Sequence, residues 1–302
     1  MNFLALLLGL VIERSLTHLF RLREFRWLDP LFDAAFRRAG SLPRVPAALL
    51  LVAVAALLTL PVAAASWALW DELLHVPWFA FAVVVLLFAL GPRDLADEVD
   101  DYLAALRAGD PEDLRRLAKE LTEANPPVPP GARNETVERA IYVQANNRVF
   151  AVVFWFLVGG PTGAWLFRVI DSMRRRMAYR HLTIDDPAQS SGLWLVTREL
   201  HAIVAWVPAR LLAAGYVLAG DFEDALESWR RGGSPGRLSI ADASEAVLGR
   251  VGGSAAGRSD LDPSLTDAAI ERVNAARNLV IRTLWVIWCP VIAVLTLYNW
   301  VI

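Results

Sequence analysis

The sequence predicts an all-α membrane protein that crosses the bilayer several times, and three observations support this. Hydrophobic residues make up 56% of the 302 residues, and the mean hydropathy is +0.39, which is high for a soluble domain. Several runs of about twenty residues carry no charge, and that length lets an α-helix cross a bilayer. No segment alternates polar and apolar residues with a period of two, so we expect no β-sheet.

Composition also excludes several functional classes. A formal net charge of −2 leaves no clustered basic surface for a nucleic acid. The one cysteine, Cys289, cannot form an intramolecular disulfide, and the four histidines show no metal-ligand spacing. The expected partner is therefore the lipid bilayer, with no nucleic acid and no firm metal site.

Residues 1–46 are predicted to form an apolar segment followed by a basic amphipathic one. The first twelve residues lack the basic start and the cleavage site of a signal peptide. Residues 12–36 place arginines beside an apolar helical face, as in helices that lie at the membrane interface. A basic helix that covers the protein's own core fits equally well.

Residues 47–92 are predicted to form a helical hairpin of two spans. Residues 47–70 and 73–92 carry no charge, and an acidic turn at 71–72 joins them. Trp67 and Trp70 stand where interfacial anchors are expected.

Residues 93–148 and 220–278 are predicted to be helical cytoplasmic segments. Asp110 followed by Pro111 predicts a helix start, and prolines from Pro126 onward require an end before them. Asn134 is the predicted cap of the next helix. Glycine-rich residues 232–236 and 252–257 are predicted linkers, and residues 279–302 form the C-terminal span.

The chain is organised around residues 146–171. Arg148 opens this stretch, Arg168 and Asp171 close it, and the residues between them are uncharged. Glycines and a proline at 159–163 interrupt helical hydrogen bonding near the expected membrane centre. Irregular backbone at that depth must be covered by protein or line a cavity.

Two topologies fit this stretch. Basic residues concentrate in the large loops, so the positive-inside rule places those loops in the cytoplasm. A full crossing by residues 149–167 would put the arginines of 174–180 outside. A re-entrant hairpin that turns at 159–163 keeps both ends inside and is favoured. The same argument applies to residues 200–219, where Pro208 and Arg210 are expected to interrupt the apolar run.

The candidate ligand-binding residues are polar groups beside this break, together with its glycines. Charged groups at membrane depth are usually functional, and arginine suits phosphate or carboxylate ligands. Backbone amides of the glycine turn can cradle an anion. The alternative is that the arginines lie at headgroup level. The candidates are Gln144, Asn147, Arg148, Gly159, Gly160, Thr162, Arg168, Asp171 and Arg210.

Asp185 and Asp186 are the weak metal candidates. Their carboxylates suit Mg²⁺, but the proline that follows them also fits an ordinary turn.

Three stretches resemble the AmpE family. They read I-E-R-S-L-T-H-L-F-R-L-R from residue 12, N-R-V-F-A-V-V-F-W-F-L-V-G-G-P-T-G-A from 147, and W-V-P-A-R-L-L-A-A-G-Y-V-L-A-G-D-F-E-D-A-L from 206. The resemblance implies a multi-pass protein of the bacterial inner membrane, linked to AmpD and to the regulation of β-lactamase induction. It also implies a context of cell-wall recycling and antibiotic resistance.

AmpE proteins are in turn similar to CobD/CbiB, a membrane enzyme of cobalamin biosynthesis. That resemblance implies a reaction that joins a corrinoid carboxylate to an amino-alcohol phosphate with ATP and Mg²⁺. This chain reads Q-A-N-N-R at 144–148, where the enzyme's pattern carries a glutamate and an E-N pair. Amides in place of carboxylates remove candidate metal ligands and general bases.

Three hypotheses follow from the sequence. The first is an AmpE-type regulatory sensor that binds an anionic metabolite in a cytoplasm-facing intramembrane pocket, roofed by residues 94–147. The second is an ATP- and Mg²⁺-dependent enzyme of CobD/CbiB type. The third is a scaffold that binds a protein partner or a second copy of itself.

Overall fold

A computed structural model describes residues 26–69, 76–90, 95–183, 187–232, 239–257 and 266–294, and every regular element in these ranges is helical. This confirms the all-α prediction. The helices are α1 (Asp29–Ala39), α2 (Arg44–Ala68), α3 (Val76–Ala89), α4 (Leu95–Ala108), α5 (Pro111–Thr122), α6 (Pro130–Ala145), α7 (Ala151–Thr183), α8 (Pro187–Ala219), α9 (Phe222–Arg231), α10 (Ile240–Ala255) and α11 (Thr266–Arg282). A 3₁₀ turn, Arg26–Leu28, precedes α1, and π-helical segments follow α6 (Asn146–Phe150) and α11 (Thr283–Trp288).

Four helical stretches in the described ranges are long and apolar enough to cross a membrane. They are Arg44–Ala68, Pro130–Thr183, Gly192–Ala219 and Thr266–Val294. Helix α3, in the second predicted span, is also apolar but has only 14 residues. These lengths and compositions agree with a protein that crosses the membrane several times.

Helix α5 begins where the sequence predicts. An Asp110 carboxylate oxygen accepts hydrogen bonds from the backbone N–H groups of Glu112 and Asp113 at 2.9 and 3.3 Å. Pro111 occupies the first helical position, where its missing N–H has no cost. The helix ends at Thr122, before the proline-rich segment.

Three local predictions were wrong. Asn134 does not cap a helix, because α6 already begins at Pro130; the Asn134 side chain is buried and accepts a 2.7 Å hydrogen bond from the Tyr102 hydroxyl. Gly252 lies inside α10 rather than in a linker. Helix α8 continues through Pro208 without a break, as membrane helices tolerate when neighbouring groups satisfy the freed carbonyl.

The chain divides into two compact units. The first consists of Met1–Pro92 and Ala151–Val204, and the second of Arg93–Phe150 and Ala205–Ile302. In the first unit, aromatic side chains of α1 pack with Leu51 of α2 and with methionines of α7. The Trp165 indole N–H donates a 3.1 Å hydrogen bond to the Leu58 carbonyl and so ties α7 to α2.

The second unit is built around α6. Tyr142 and Tyr216 are fully buried, with ring centroids 5.5 Å apart, and the Tyr216 hydroxyl donates to the Tyr142 carbonyl at 3.2 Å. The Tyr142 ring also packs against Gly252, where an added Cβ would lie 2.6 Å from the ring. Gly252 is therefore required by close helix packing.

Helix α7 reverses direction at its glycine-rich turn. Gly160 has φ 60° and ψ −152°, a combination that essentially only glycine adopts. An added Cβ at Gly163 would lie 2.3 Å from the Trp155 carbonyl oxygen. In an uninterrupted helix, residues eight positions apart are separated by about 12 Å. The segments before and after Gly160 are therefore the two arms of a helical hairpin, and the predicted break is confirmed.

Candidate functional site

In the first unit, a group of cationic side chains surrounds the fully buried carboxylate of Asp171. Arg168 Nη1 donates to Oδ2 at 3.2 Å. Arg174 donates to Oδ1 through Nη2 at 2.8 Å and Nε at 3.2 Å. Arg175 Nε lies 3.5 Å from Oδ2, and His201 Nε2 lies 3.5 Å from Oδ1. We call these five residues the Asp171 cluster.

Helix geometry explains this cluster. The three arginines stand at positions −3, +3 and +4 relative to Asp171, and such positions share one face of a helix. His201 reaches the cluster from α8, where its ring lies 5.5 Å from the Phe167 ring. Arg168 and Asp171 are among the residues predicted from the sequence, whereas Arg174, Arg175 and His201 are not. The spacing of Arg174 and Arg175 from Asp171 would have allowed a prediction of these two residues from the sequence. The position of His201 depends on how α8 packs against α7, which the sequence does not show.

The second unit holds a different buried polar group around Arg148. Arg148 Nη1 lies 2.8 Å from Glu98 Oε1, and both side chains are at most 10% exposed. Arg148 Nε donates to the Gln144 side-chain oxygen at 3.1 Å, and the Gln144 amide donates to the Leu121 carbonyl at 3.2 Å. We call Glu98, Gln144, Asn146, Asn147 and Arg148 the Arg148 cluster.

The π-helical segment belongs to this second cluster. Asn146 and Asn147 are buried there, and the Asn146 amide donates to the Asn147 side-chain oxygen at 3.2 Å. Asn146 Oδ1 and Glu98 Oε2 are buried without a hydrogen-bond partner in the part of the chain that the structure describes. Buried acceptors without a donor destabilise a fold, and π-helical turns are frequent at functional sites. This cluster therefore suits a group that brings N–H or O–H donors.

Glu98 is not among the residues predicted from the sequence. It shares the buried face of α4 with Leu95 and Val99, so a carboxylate in the apolar pattern of that helix was the available signal.

The remaining predicted residues are placed as follows. Gly159, Gly160 and Thr162 lie at the tip of the α7 hairpin, in the first unit. Arg210 lies in the second unit, with its guanidinium 3.9 Å from the Trp206 ring centroid, and donates to Ser244 Oγ at 3.2 Å. Arg210 thus has partners other than those of Arg148.

The metal candidates Asp185 and Asp186 lie outside the described residues. Within the described residues, no group of three or more His, Cys, Asp or Glu side chains is arranged to hold a metal ion.

Comparison with known proteins identifies the family. The family described as "Regulatory signalling modulator protein AmpE" matches residues 1–302, the whole chain. No solved structure matches the chain.

Several curated relatives carry the name "Cobalamin biosynthesis protein CobD". The protein from Stutzerimonas stutzeri is 29% identical over 205 residues, which cover 66% of this chain and 65% of the relative. The protein from Chromobacterium violaceum is 31% identical over 186 residues, which cover 59% of this chain and 55% of the relative. The chain thus spans between half and two thirds of these two relatives. Because the family match extends over every residue, the chain belongs to the AmpE family.

Proposed function

We propose that this protein is a regulatory sensor of the bacterial inner membrane that binds an anionic metabolite at the Asp171 cluster. The observation that carries this proposal is the convergence of Arg168, Arg174 and Arg175 on one buried position of α7. Each guanidinium has five N–H donors in a rigid plane that matches phosphate and carboxylate oxygens. Such donors, collected beside the α7 hairpin, suit a metabolite with these groups.

Burial strengthens the attraction between the arginines of the Asp171 cluster and a bound anion. Coulomb interactions are larger in a protein interior than in water, and water competes less for the donors. Asp171 holds the guanidinium planes in place through its two oxygens, so an anion would meet donors that are already oriented. His201 adds an imidazole ring that can donate or accept a hydrogen bond.

The regulatory part of the proposal rests on the family. Its description names a regulatory signalling modulator, and the AmpE resemblance connects such proteins with β-lactamase induction and cell-wall recycling. A sensor with its large loops in the cytoplasm would report the level of a metabolite to a cytoplasmic partner. Arg148 and Arg210, the other two candidate arginines, would then stabilise the second unit rather than bind the anion.

A second candidate function is a membrane enzyme of CobD type. The curated relatives with that name favour it, and so does the Arg148 cluster, whose buried acceptors suit an amine or hydroxyl donor. In that reaction ATP, with Mg²⁺ on its phosphates, would transfer a phosphoryl group to a carboxylate. An amine would then attack the acyl carbon and form the amide as phosphate leaves.

Ligand-dependent thermal stabilisation of the purified, detergent-solubilised protein tests both functions, because a ligand of the native state raises its stability. The panel contains muropeptides, ATP with Mg²⁺, an amino-alcohol phosphate and a cobyric-acid-type corrinoid. The variants are Arg168→Lys and, as the control, Arg116→Ala. Arg168→Lys keeps the positive charge but loses the planar set of guanidinium N–H donors. Arg116 is an exposed arginine of α5 that pairs with Asp113 and Glu120 on its own helix.

A muropeptide that stabilises the wild type and Arg116→Ala, but not Arg168→Lys, supports the sensor. Stabilisation by the corrinoid or the amino-alcohol phosphate, with loss of ATP over time, supports the enzyme. No shift with any compound contradicts both and leaves a scaffold as the explanation.

A further inference from the structure

A cavity in the second unit shares no residue with either cluster described above. It has a volume of about 390 Å³, within the range of small-molecule sites. Helices α6, α9, α10 and α11 line it, and each contributes one arginine. The arginines are Arg139, Arg231, Arg250 and Arg272. Sequence separations of up to 133 residues make this convergence a product of the fold rather than of one helical face.

Three of the four arginines, Arg139, Arg231 and Arg250, are held only loosely by other groups. Arg139 pairs with Glu135 and Arg231 with Glu227, in each case on the same helix. The two arginines and the two glutamates are each about half exposed or more. Exposed pairs of this kind contribute little stability, so an arriving anion can replace them at low cost. Arg250 donates through Nε to the Ala246 carbonyl at 3.2 Å and has no ion pair within the described ranges.

Acidic groups also line the cavity and restrict what can bind. Glu138 is nearly buried and pairs with Arg272 at 2.9 Å, and its Oε1 accepts a 3.5 Å hydrogen bond from Tyr142. Glu135 and Asp224 add two further carboxylates. A bare anion would meet these carboxylates unfavourably, whereas a molecule with hydroxyl or amino groups can donate to them. Ser228 and Ser254 provide further hydrogen-bonding groups.

Two glycines of α10, Gly249 and Gly253, lie in the wall of the cavity. At Gly249, an added Cβ would lie 3.2 Å from Arg139 Cγ, which is a close contact with a side chain of α6. At Gly253, the nearest atom to an added Cβ is a Glu138 oxygen at 3.5 Å, an ordinary contact distance. Glycine inside a helix is destabilising relative to alanine. Packing therefore does not require Gly253, and its lack of a side chain leaves room beside Glu138 in the cavity wall.

We infer that this cavity is a second ligand site, which takes a small organic anion, phosphate or carboxylate, that also carries hydroxyl or amino groups. Arg250 and Arg139 would face the anionic group, and Glu138 and Asp224 would accept from the donors. The site is independent of the Asp171 cluster, so the sensor hypothesis can fail while this inference holds, and the reverse.

The test is isothermal titration calorimetry on the detergent-solubilised full chain at constant ionic strength. The probes are glucose 6-phosphate, citrate and the neutral polyol sorbitol. The variants are Arg250→Ala and Gly253→Leu, with Arg116→Ala as the control outside the cavity. Leucine favours a helix more than glycine does, so Gly253→Leu fills the cavity without weakening α10.

We expect saturable binding of glucose 6-phosphate, of citrate or of both, and none of sorbitol. Binding to glucose 6-phosphate alone identifies a phosphate site, and binding to citrate alone a carboxylate site. Affinity should fall about tenfold or more in Arg250→Ala, because hydrogen bonds to charged groups are lost. It should also fall in Gly253→Leu and stay unchanged in Arg116→Ala.

Absence of binding to both anions in the wild type would overturn the inference. Unchanged affinity in Arg250→Ala would do the same, even if Gly253→Leu failed to fold.

Discussion

Gly160 occupies a backbone region that a side chain makes costly, and nothing lies within 4 Å of where its Cβ would be. The cost of replacing it is therefore conformational rather than steric. We expect Gly160→Ala to destabilise the protein by about 1–3 kcal/mol, the usual strain of such a residue. Thermal unfolding in detergent measures the effect.

Gly159→Ala is the matched control. Gly159 is the adjacent residue, has no positive φ and has open space around it, so alanine should be neutral or stabilising there. Equal thermal midpoints for the two variants would show that the reversal at Gly160 is not required.

The pair Glu98–Arg148 is predicted to behave as a buried ion pair. Removing one partner leaves a charge buried without compensation, which typically costs about 3–5 kcal/mol. We expect Glu98→Gln and Arg148→Gln each to lower the thermal midpoint strongly, and the double variant to be less destabilised than the sum of the two. A double-mutant cycle measures the coupling. Additive effects would argue against the pair.

At the level of single residues, the sequence allowed us to predict several of the side chains that belong to the candidate sites, but not which residues they contact. It pointed to Arg148, Arg168 and Asp171 because charges beside an apolar run are visible in one dimension. It could not show that Arg148 meets Glu98, fifty residues earlier, because long-range pairing depends on how helices pack.

Helix α1 is attached to α7 by a network of ion pairs. Arg176 Nη2 lies 2.6 Å from Asp33 Oδ2, and Arg180 Nη1 lies 3.0 Å from Asp33 Oδ1. These hydrogen bonds, chiefly from Arg176, hold the pKa of Asp33 below its ordinary value despite the opposing effect of partial burial. Because the folded pKa is the lower one, the stabilisation is complete above the unfolded pKa of about 3.9 and is lost as the pH falls through the folded pKa.

We therefore expect Asp33→Asn to be less stable than the wild type at pH 6–7, with the difference shrinking below about pH 4. Thermal midpoints of the two proteins across this pH range measure it. Asp113→Asn is the control, since Asp113 belongs to an exposed pair within α5. A difference for Asp33→Asn that persists at low pH would show that the carboxylate's charge is not responsible.

Among the elements, those with strong local signals were predicted well. The start and end of α5 follow from Asp110, Pro111 and the later prolines, which act on their own neighbours. The prediction of a linker at Gly252 was wrong because the sequence does not distinguish a glycine that packs against a tyrosine ring from a glycine in a flexible segment. The prediction of an interruption at Pro208 was wrong because the packing around α8 offsets the tendency of proline to break a helix.

For the molecule as a whole, the α7 hairpin predicts the membrane topology. The eleven uncharged residues at 149–159 extend about 16 Å as a helix, half of a hydrocarbon core. The hairpin should therefore enter and leave on the same side, with both ends in the cytoplasm. Val128 and Tyr179 are exposed positions on either side of it.

Cysteine labelling tests this in intact cells. In a Cys289→Ser background, which removes the one native cysteine, we expect cysteines at positions 128 and 179 to react only after the membrane is permeabilised. A cysteine at Glu72, in the turn predicted to lie outside, should react without permeabilisation. Reaction of position 179 from outside would contradict the hairpin topology.

The division of the chain into interleaved units has a consequence for its synthesis. Each unit combines an earlier and a later part of the chain, and the parts alternate along the sequence. Domains usually fold as they leave the ribosome, at about 5–20 residues per second. Here Tyr142 is made more than a hundred residues before Gly252, against which its ring packs. The second unit must therefore wait, with α6 only partly covered, until α10 and α11 have been translated.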